Sequence, residues 1–265
     1  DARFKAEVDE EISAVPTGDG RFPALNVDFT LEELVTALHK LKRNAAPGPD
    51  QIPAVLLHLM GSRSLQAILL VFNDIWRAQT WPAEWRQGTI TPHFKHGALD
   101  RTDAGSYRPI TLTSALSKLF ELMLHARLSA WAEECGLLVE EQCGFRSGRS
   151  TLDQIFSLHE IVAKRREEGK RTFLAFLDVK HAYDRVWRSG LLWKLKRLGL
   201  GGRMLALLHS MLERNTRRVA VRGSLSGEFT TLVGLPQGAV LSPLLYAIFI
   251  NDLAVELNQL GLGVP

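Results

Sequence analysis

The 265-residue chain predicts an α+β fold, and three observations carry that prediction. Helix-like and strand-like stretches alternate irregularly, which fits segregated helices and strands better than a doubly wound parallel sheet. Short β-prone runs come in two pairs, 89–92 with 108–112 and 217–221 with 228–233, each pair joined by polar or glycine-bearing residues. One continuous apolar run, Phe173–Leu177, reads as a strand buried on both faces and ends in Asp178.

The elements follow in order. Residues 1–28 form a helical or loosely ordered lead-in that closes on Thr17-Gly18-Asp19-Gly20. Thr30 with Glu33 three residues on is a capping-box start, and Leu31, Leu34, Val35, Leu38 and Leu41 keep helical spacing to about Arg43. Ala46-Pro47-Gly48-Pro49-Asp50 breaks that helix, and further helices are expected over 53–59 and 64–79. The strand pair 89–92 and 108–112 encloses a charged loop, His93 to Tyr107. Helices over 114–135 and 150–168 precede the apolar strand, and two more, 190–199 and 202–214, follow it. A hairpin through Gly223–Gly227 leads to a last helix beginning near Val240.

Composition is globular, with 46% hydrophobic residues and a net charge of only +3. Acids gather early (Asp1, Glu7, Asp9, Glu10, Glu11), whereas bases cluster at Lys164–Arg166, Lys170, Arg171, Arg214, Arg217, Arg218 and Arg222. Such a separation allows a phosphate-facing side without requiring one. Cys135 and Cys143 are too few for a disulfide framework or a four-ligand zinc site, so a reducing compartment is expected. The longest apolar stretch, Ala239–Ile250, contains Ser242 and Pro243 and is too short to span a bilayer, so no membrane partner is expected.

Asp178 by itself fits two roles. It can cap the turn or helix that follows, or it can hold a metal ion against a rigid scaffold. Five segments, taken in order, add to the second. They are Ala46–Ile52; Ile90–Gly97 with Tyr107-Arg108-Pro109-Ile110; Gln142–Thr151; Phe176-Leu177-Asp178 with Asp184-Arg185-Val186; and Gly234-Leu235-Pro236-Gln237-Gly238 with Leu241-Ser242-Pro243. Together they resemble the reverse transcriptases of non-LTR (LINE-type) retrotransposons, with group II intron enzymes as relatives, over roughly Leu31–Leu253.

The resemblance implies a right-hand polymerase architecture, with reverse-transcriptase fingers (29–170 and 188–238) and an incomplete palm (171–187 and 239–265). It implies RNA-directed DNA synthesis, in which a DNA primer 3′-hydroxyl on an RNA template attacks a deoxynucleoside triphosphate, assisted by two Mg2+ ions. Asp178 would be the catalytic carboxylate and metal ligand, joined by the backbone carbonyl of Val179, and magnesium favours such oxygen ligands. Tyr183 would lie under the sugar and exclude a 2′-hydroxyl; ordinary packing is its alternative. Lys95 and Arg108 would grip the triphosphate, Lys as a point charge and Arg as a rigid fork. Gln237 and Gly238 would approach the nucleotide on a turn that opens a helix. Arg146 and Arg149 would contact template phosphates, which hold a strand without reading its sequence.

Two departures from the family stand out. Gln51 occupies a position where the family usually has glycine. The family's second acidic motif, an aromatic or apolar residue followed by Ala-Asp-Asp, is not present before Pro265. One carboxylate cannot hold two metals, so these 265 residues are expected to be inactive alone. Two other readings stay open: a domesticated scaffold subunit within a larger assembly, and a maturase-like RNA-binding protein. Intracellular, nuclear location follows from what such elements must reach.

Overall fold

The computed structural model describes residues 1–13, 20–97 and 100–259. The expected break at Thr17–Asp19, residues 98–99 of the charged loop and the Gly261–Pro265 tail lie outside the described residues.

Helix α1 (Ala2–Ser13) buries Val8 and Ile12. Thr30 and Glu33 form the expected capping box at α2 (Leu31–Lys40), with the Glu33 amide donating to Thr30 Oγ1 at 3.2 Å and the Thr30 amide to Glu33 Oε2 at 2.8 Å. Two donors that a helix start leaves unpaired are thereby satisfied. After the Pro-Gly-Pro break, Gln51 takes the left-handed conformation, φ +56°, and its side-chain amide donates to the Gly48 carbonyl. The backbone thus keeps a glycine-like shape where this chain carries glutamine. Helices α3 (Ala54–His58) and α4 (Ser62–Ala78) follow.

Strand β1 (Gln87–Phe94) pairs antiparallel with β2 (Tyr107–Leu112), from Thr89 opposite Leu112 to Phe94 opposite Tyr107. Helix α5 (Ala115–Glu134), capped by the Ser114 hydroxyl, runs through the middle of the molecule. Its Phe120 meets Phe29, Phe72, Trp81 and Trp85 in one aromatic cluster. Helix α6 (Thr151–Glu167) is different: it has a capping box, Ser150 with Asp153, yet none of its residues is buried.

Helices α7 (Arg188–Arg197) and α8 (Gly202–Glu213) lead to β3 (Asn215–Val221), β4 (Ser224–Leu225) and β5 (Phe229–Thr231). Arg222 and Gly223, both at positive φ, turn β3 into β4, the backbone that a two-residue hairpin needs. Strand β3 also pairs parallel with β1 and antiparallel with β5, giving one mixed sheet. Helix α9 starts at Ser242 and is described to Gln259. Helix α1 straps α7: Phe4 sets its ring edge-on to Trp187 and Trp193, and the Trp187 indole donates to Asp9 at 2.9 Å. Among the described residues no helix is long and apolar enough to cross a membrane.

The expected central strand does not form. Residues 171–179 have no regular secondary structure, and Phe173, Phe176 and Leu177 are 91, 84 and 81% exposed. A strand exists only when a neighbouring edge accepts its amides and carbonyls, and an all-apolar strand also needs cover on both faces. Among the described residues, no strand pairs with this segment.

Candidate functional site

Downstream of Asp178 the chain makes a tight turn over Lys180–Arg185, with His181 at φ +59° and its carbonyl accepting the Arg185 amide. Val186 is buried and anchors the turn's end. The turn then receives the glycine-bearing segment Gly234–Gly238. The Gly234 amide donates to the Val186 carbonyl at 2.9 Å, and the Leu235 amide to the Tyr183 carbonyl at 2.8 Å. Gly234 sits at φ +81°, and a Cβ there would stand 2.7 Å from the Asp184 carbonyl oxygen. Only glycine meets both the dihedral and the contact.

The other side of the same segment locks onto β2. The Thr111 amide donates to the Gln237 carbonyl at 2.7 Å, and a Cβ on Gly238 would come within 3.0 Å of the Thr111 carbonyl oxygen. Gln237 Nε2 donates to Asp184 Oδ1 at 3.2 Å, and His181 lies 3.5 Å from the other Asp184 oxygen. Pro109, Thr111, Asp184 and Gln237 line a cleft of about 350 Å³. The structure therefore brings Tyr183, Asp184, Gln237 and Gly238 to one place beside the β1–β2 hairpin.

Tyr183 is half-buried and lies against Tyr246 of α9, ring centroids 5.1 Å apart. Burial, and then Tyr246, push the Tyr183 phenol above its ordinary value. Burial, and then the Asp178 charge, do the same for the Tyr246 phenol. Asp178 and Val179 are exposed. Among the described residues no three His, Cys, Asp or Glu side chains converge as a metal site. Asp178 and the Val179 carbonyl do not make a divalent centre by themselves.

Lys95 and Arg108 lie on the neighbouring hairpin. Arg108 is exposed opposite His93, and strand alternation puts His93, Lys95 and Arg108 on one face, away from the cleft-lining Pro109 and Thr111. Lys95 Nζ donates to the Gly105 carbonyl at 2.7 Å. The two arginines expected at a template lie elsewhere and are paired. Arg146 forks onto Glu133 at 3.0 and 2.7 Å and donates to the Val139 and Gln142 carbonyls, leaving its side chain 7% exposed. Its side chain turns inward and closes the 139–146 loop onto the end of α5. The guanidinium of Arg146 holds the Glu133 carboxyl below its ordinary value. Arg149 pairs with Glu140 and stays exposed.

Three buried charges shape the site: Glu121 and Arg188, which the sequence reading did not single out, and Arg217, which it placed in a basic cluster and which the structure buries. Glu121 of α5 accepts the Val240 amide at 2.9 Å and the Leu241 amide at 3.4 Å, just ahead of α9, and the Ser117 hydroxyl at 3.2 Å. Burial raises its carboxyl above the ordinary value, against those hydrogen bonds. Arg188 donates to the Gly234, Leu212, Thr231 and Val233 carbonyls, and holds the glycine turn from behind. Burial, and the like charge of Arg217, lower it to about 10. Arg217, also lowered to about 10 by burial, donates to the Arg86 carbonyl at 2.7 Å. Both remain cations at neutral pH. Glu121 left one trace in the sequence, an acid flanked by Leu119, Phe120, Met123 and Leu124 on a helix face; Arg188 left none.

Comparison with known proteins identifies the family. The reverse transcriptase (RNA-dependent DNA polymerase) family model matches residues 95–262. The probable RNA-directed DNA polymerase from transposon BS of Drosophila melanogaster is 35% identical over 223 residues, covering 84% of this chain and 24% of the relative. The probable RNA-directed DNA polymerase from transposon X-element of the same fly is 35% identical, covering 89% of this chain and 26% of the relative. That from its mobile element jockey is 34% identical, covering 84% and 24%. The chain thus spans about a quarter of the length of these relatives. With a family model over most of its length, the chain belongs to the reverse transcriptase family, and these relatives are RNA-directed DNA polymerases of transposons and mobile elements.

Proposed function

We propose that these residues form the fingers and part of the palm of a right-hand polymerase that extends a DNA primer on an RNA template. The observation that carries this reading is the double attachment of Gly234–Gly238, to Tyr183–Val186 on one side and to Thr111 of β2 on the other. That segment joins the proposed palm residues to the proposed fingers hairpin. A nucleotide seated there would meet Gln237 and the Gly238 backbone, with Tyr183 beneath its sugar as the barrier to a 2′-hydroxyl. Lys95 and Arg108 share a hairpin face turned away from the cleft-lining Pro109 and Thr111, so their joint grip on the triphosphate rests on the family resemblance and not on this arrangement. Of the two loop arginines, the exposed Arg149 suits template phosphate, and the inward Arg146 suits loop closure.

The family uses divalent metal ions, Mg2+ in this proposal. Asp178 would contribute one carboxylate and Val179 a carbonyl to that site, and among the described residues no three His, Cys, Asp or Glu side chains converge to complete it. The 265 residues alone would then not polymerise.

Primer extension on an RNA template tests both statements. The full-length protein is expected to extend the primer and to lose more than about 100-fold in rate with Asp178→Asn, since even outer-shell changes cost 10–100-fold. The 265-residue chain is expected to give no Asp178-dependent product. Robust synthesis by it would overturn the proposed inactivity, and full-length activity indifferent to Asp178→Asn would overturn the catalytic assignment.

A further inference from the structure

The ring of Tyr183 does not stand alone. It lies against Tyr246 with the two planes 30° apart, an offset stack. Tyr246 is set from the protein interior. Its helix, α9, buries Leu244, Leu245, Ala247 and Ile248 on either side of it, and the stretch leading into α9 is held through the Val240 and Leu241 amides on Glu121. Tyr183, by contrast, comes from an irregular turn tied down mainly through its own carbonyl and that of Val186. Those bonds fix the backbone, and the half-buried ring is set by packing, against the core and against Tyr246. The Tyr246 face is the rigid surface that selects among the Tyr183 rotamers.

Resting on the reading of Tyr183 as the sugar barrier, we propose that Tyr246 is a specificity-determining positioning residue, whose ring holds Tyr183 where it excludes a 2′-hydroxyl. Tyr246 acts through Tyr183 and need not touch the nucleotide. Loss of the Tyr246 ring frees the Tyr183 ring to tilt, so the effect falls on sugar discrimination rather than on rate alone.

The test is the ratio of ribonucleotide to deoxynucleotide incorporation by the full-length protein. Tyr246→Ala is expected to raise that ratio roughly two- to tenfold, the span of a typical aromatic pair's coupling. Tyr246→Phe keeps the ring and is expected to leave the ratio unchanged. An equal loss with both sugars would assign Tyr246 to packing and overturn the inference. Should Tyr246→Ala lack a cooperative unfolding transition, Tyr246→Leu fills the volume without a flat face and carries the same expectation. Tyr183→Val in the same assay separates the two levels. No change with it removes the barrier reading and this inference together, whereas a change with it and none at Tyr246 overturns this inference alone. In the 265-residue chain, thermal shifts of Tyr183→Ala and Tyr246→Ala are expected to be non-additive in the double variant, and additive shifts would count against the pair.

Discussion

Glu121 shows how a single buried acid governs a site it does not enter. Its carboxylate closes two backbone amides ahead of α9, and the same stretch of chain carries Gln237. Burial outweighs those bonds, so its folded-state value lies above the ordinary 4.5. The sign follows from linkage. An acid with a raised folded value contributes stability that is fully present below the unfolded value and is lost as pH climbs through the folded one. Glu121→Gln keeps a carbonyl acceptor for the amides and does not titrate. Its melting temperature relative to the native chain is therefore expected to improve as pH rises from about 4.5 upward. Thermal melts across that range check this, and a constant difference would show that Glu121 does not titrate there. Glu121→Leu strands both amides and is expected to cost about 1–3 kcal/mol near pH 4.5, a loss that shrinks as pH rises and the native acid itself becomes costly.

At the scale of elements, the Gly234–Gly238 turn is built by contact as much as by dihedral. Gly234 and Gly223 take nearly the same φ, +81° and +82°, but a Cβ at Gly223 meets open space and one at Gly234 meets the Asp184 backbone. Gly223→Ala is expected to cost about 1–2 kcal/mol for the left-handed conformation alone. Gly234→Ala adds a clash that backbone cannot yield to, and is expected to cost more, measured by urea unfolding of both variants. Equal losses would show that the Asp184 contact relaxes freely. Such turns were legible because glycine, proline and capping residues act locally: Thr30 with Glu33, and the Pro47–Asp50 break, needed nothing from the rest of the chain. The run Phe173–Leu177 was legible as strand material and still did not become a strand, because pairing belongs to the neighbour as much as to the sequence. The proposed site residues were named through the order of their motifs along the chain. Tyr246, Glu121 and Arg188 were not, since each acts through a partner more than forty residues away.

Across the whole molecule, burial divides the chain unevenly. Core residues run from Val8 to Leu138 and resume at Val186, and none of residues 139–185 is buried. That stretch holds α6, the unpaired apolar segment and Asp178. The flanking parts grip each other without it: α1 straps α7, Arg127 bonds Glu33 of α2, and Glu121 of α5 holds the approach to α9. Segments with little buried area open at small free-energy cost, and a protease cuts what opens. Bases sit throughout this stretch, at Arg149, Lys164, Arg165, Arg166, Lys170, Arg171 and Lys180, all exposed. Brief trypsin treatment is therefore expected to cut first between Arg149 and Lys180, and the two nicked pieces are expected to stay together on a sizing column, because the contacts that join them lie outside the cut. First cuts inside α5 or α8, or separation of the pieces without denaturant, would mean that residues 139–185 carry stability the burial pattern does not assign to them. The proposed catalytic carboxylate thus sits on the least supported part of the chain, beside a turn that the core holds from three sides.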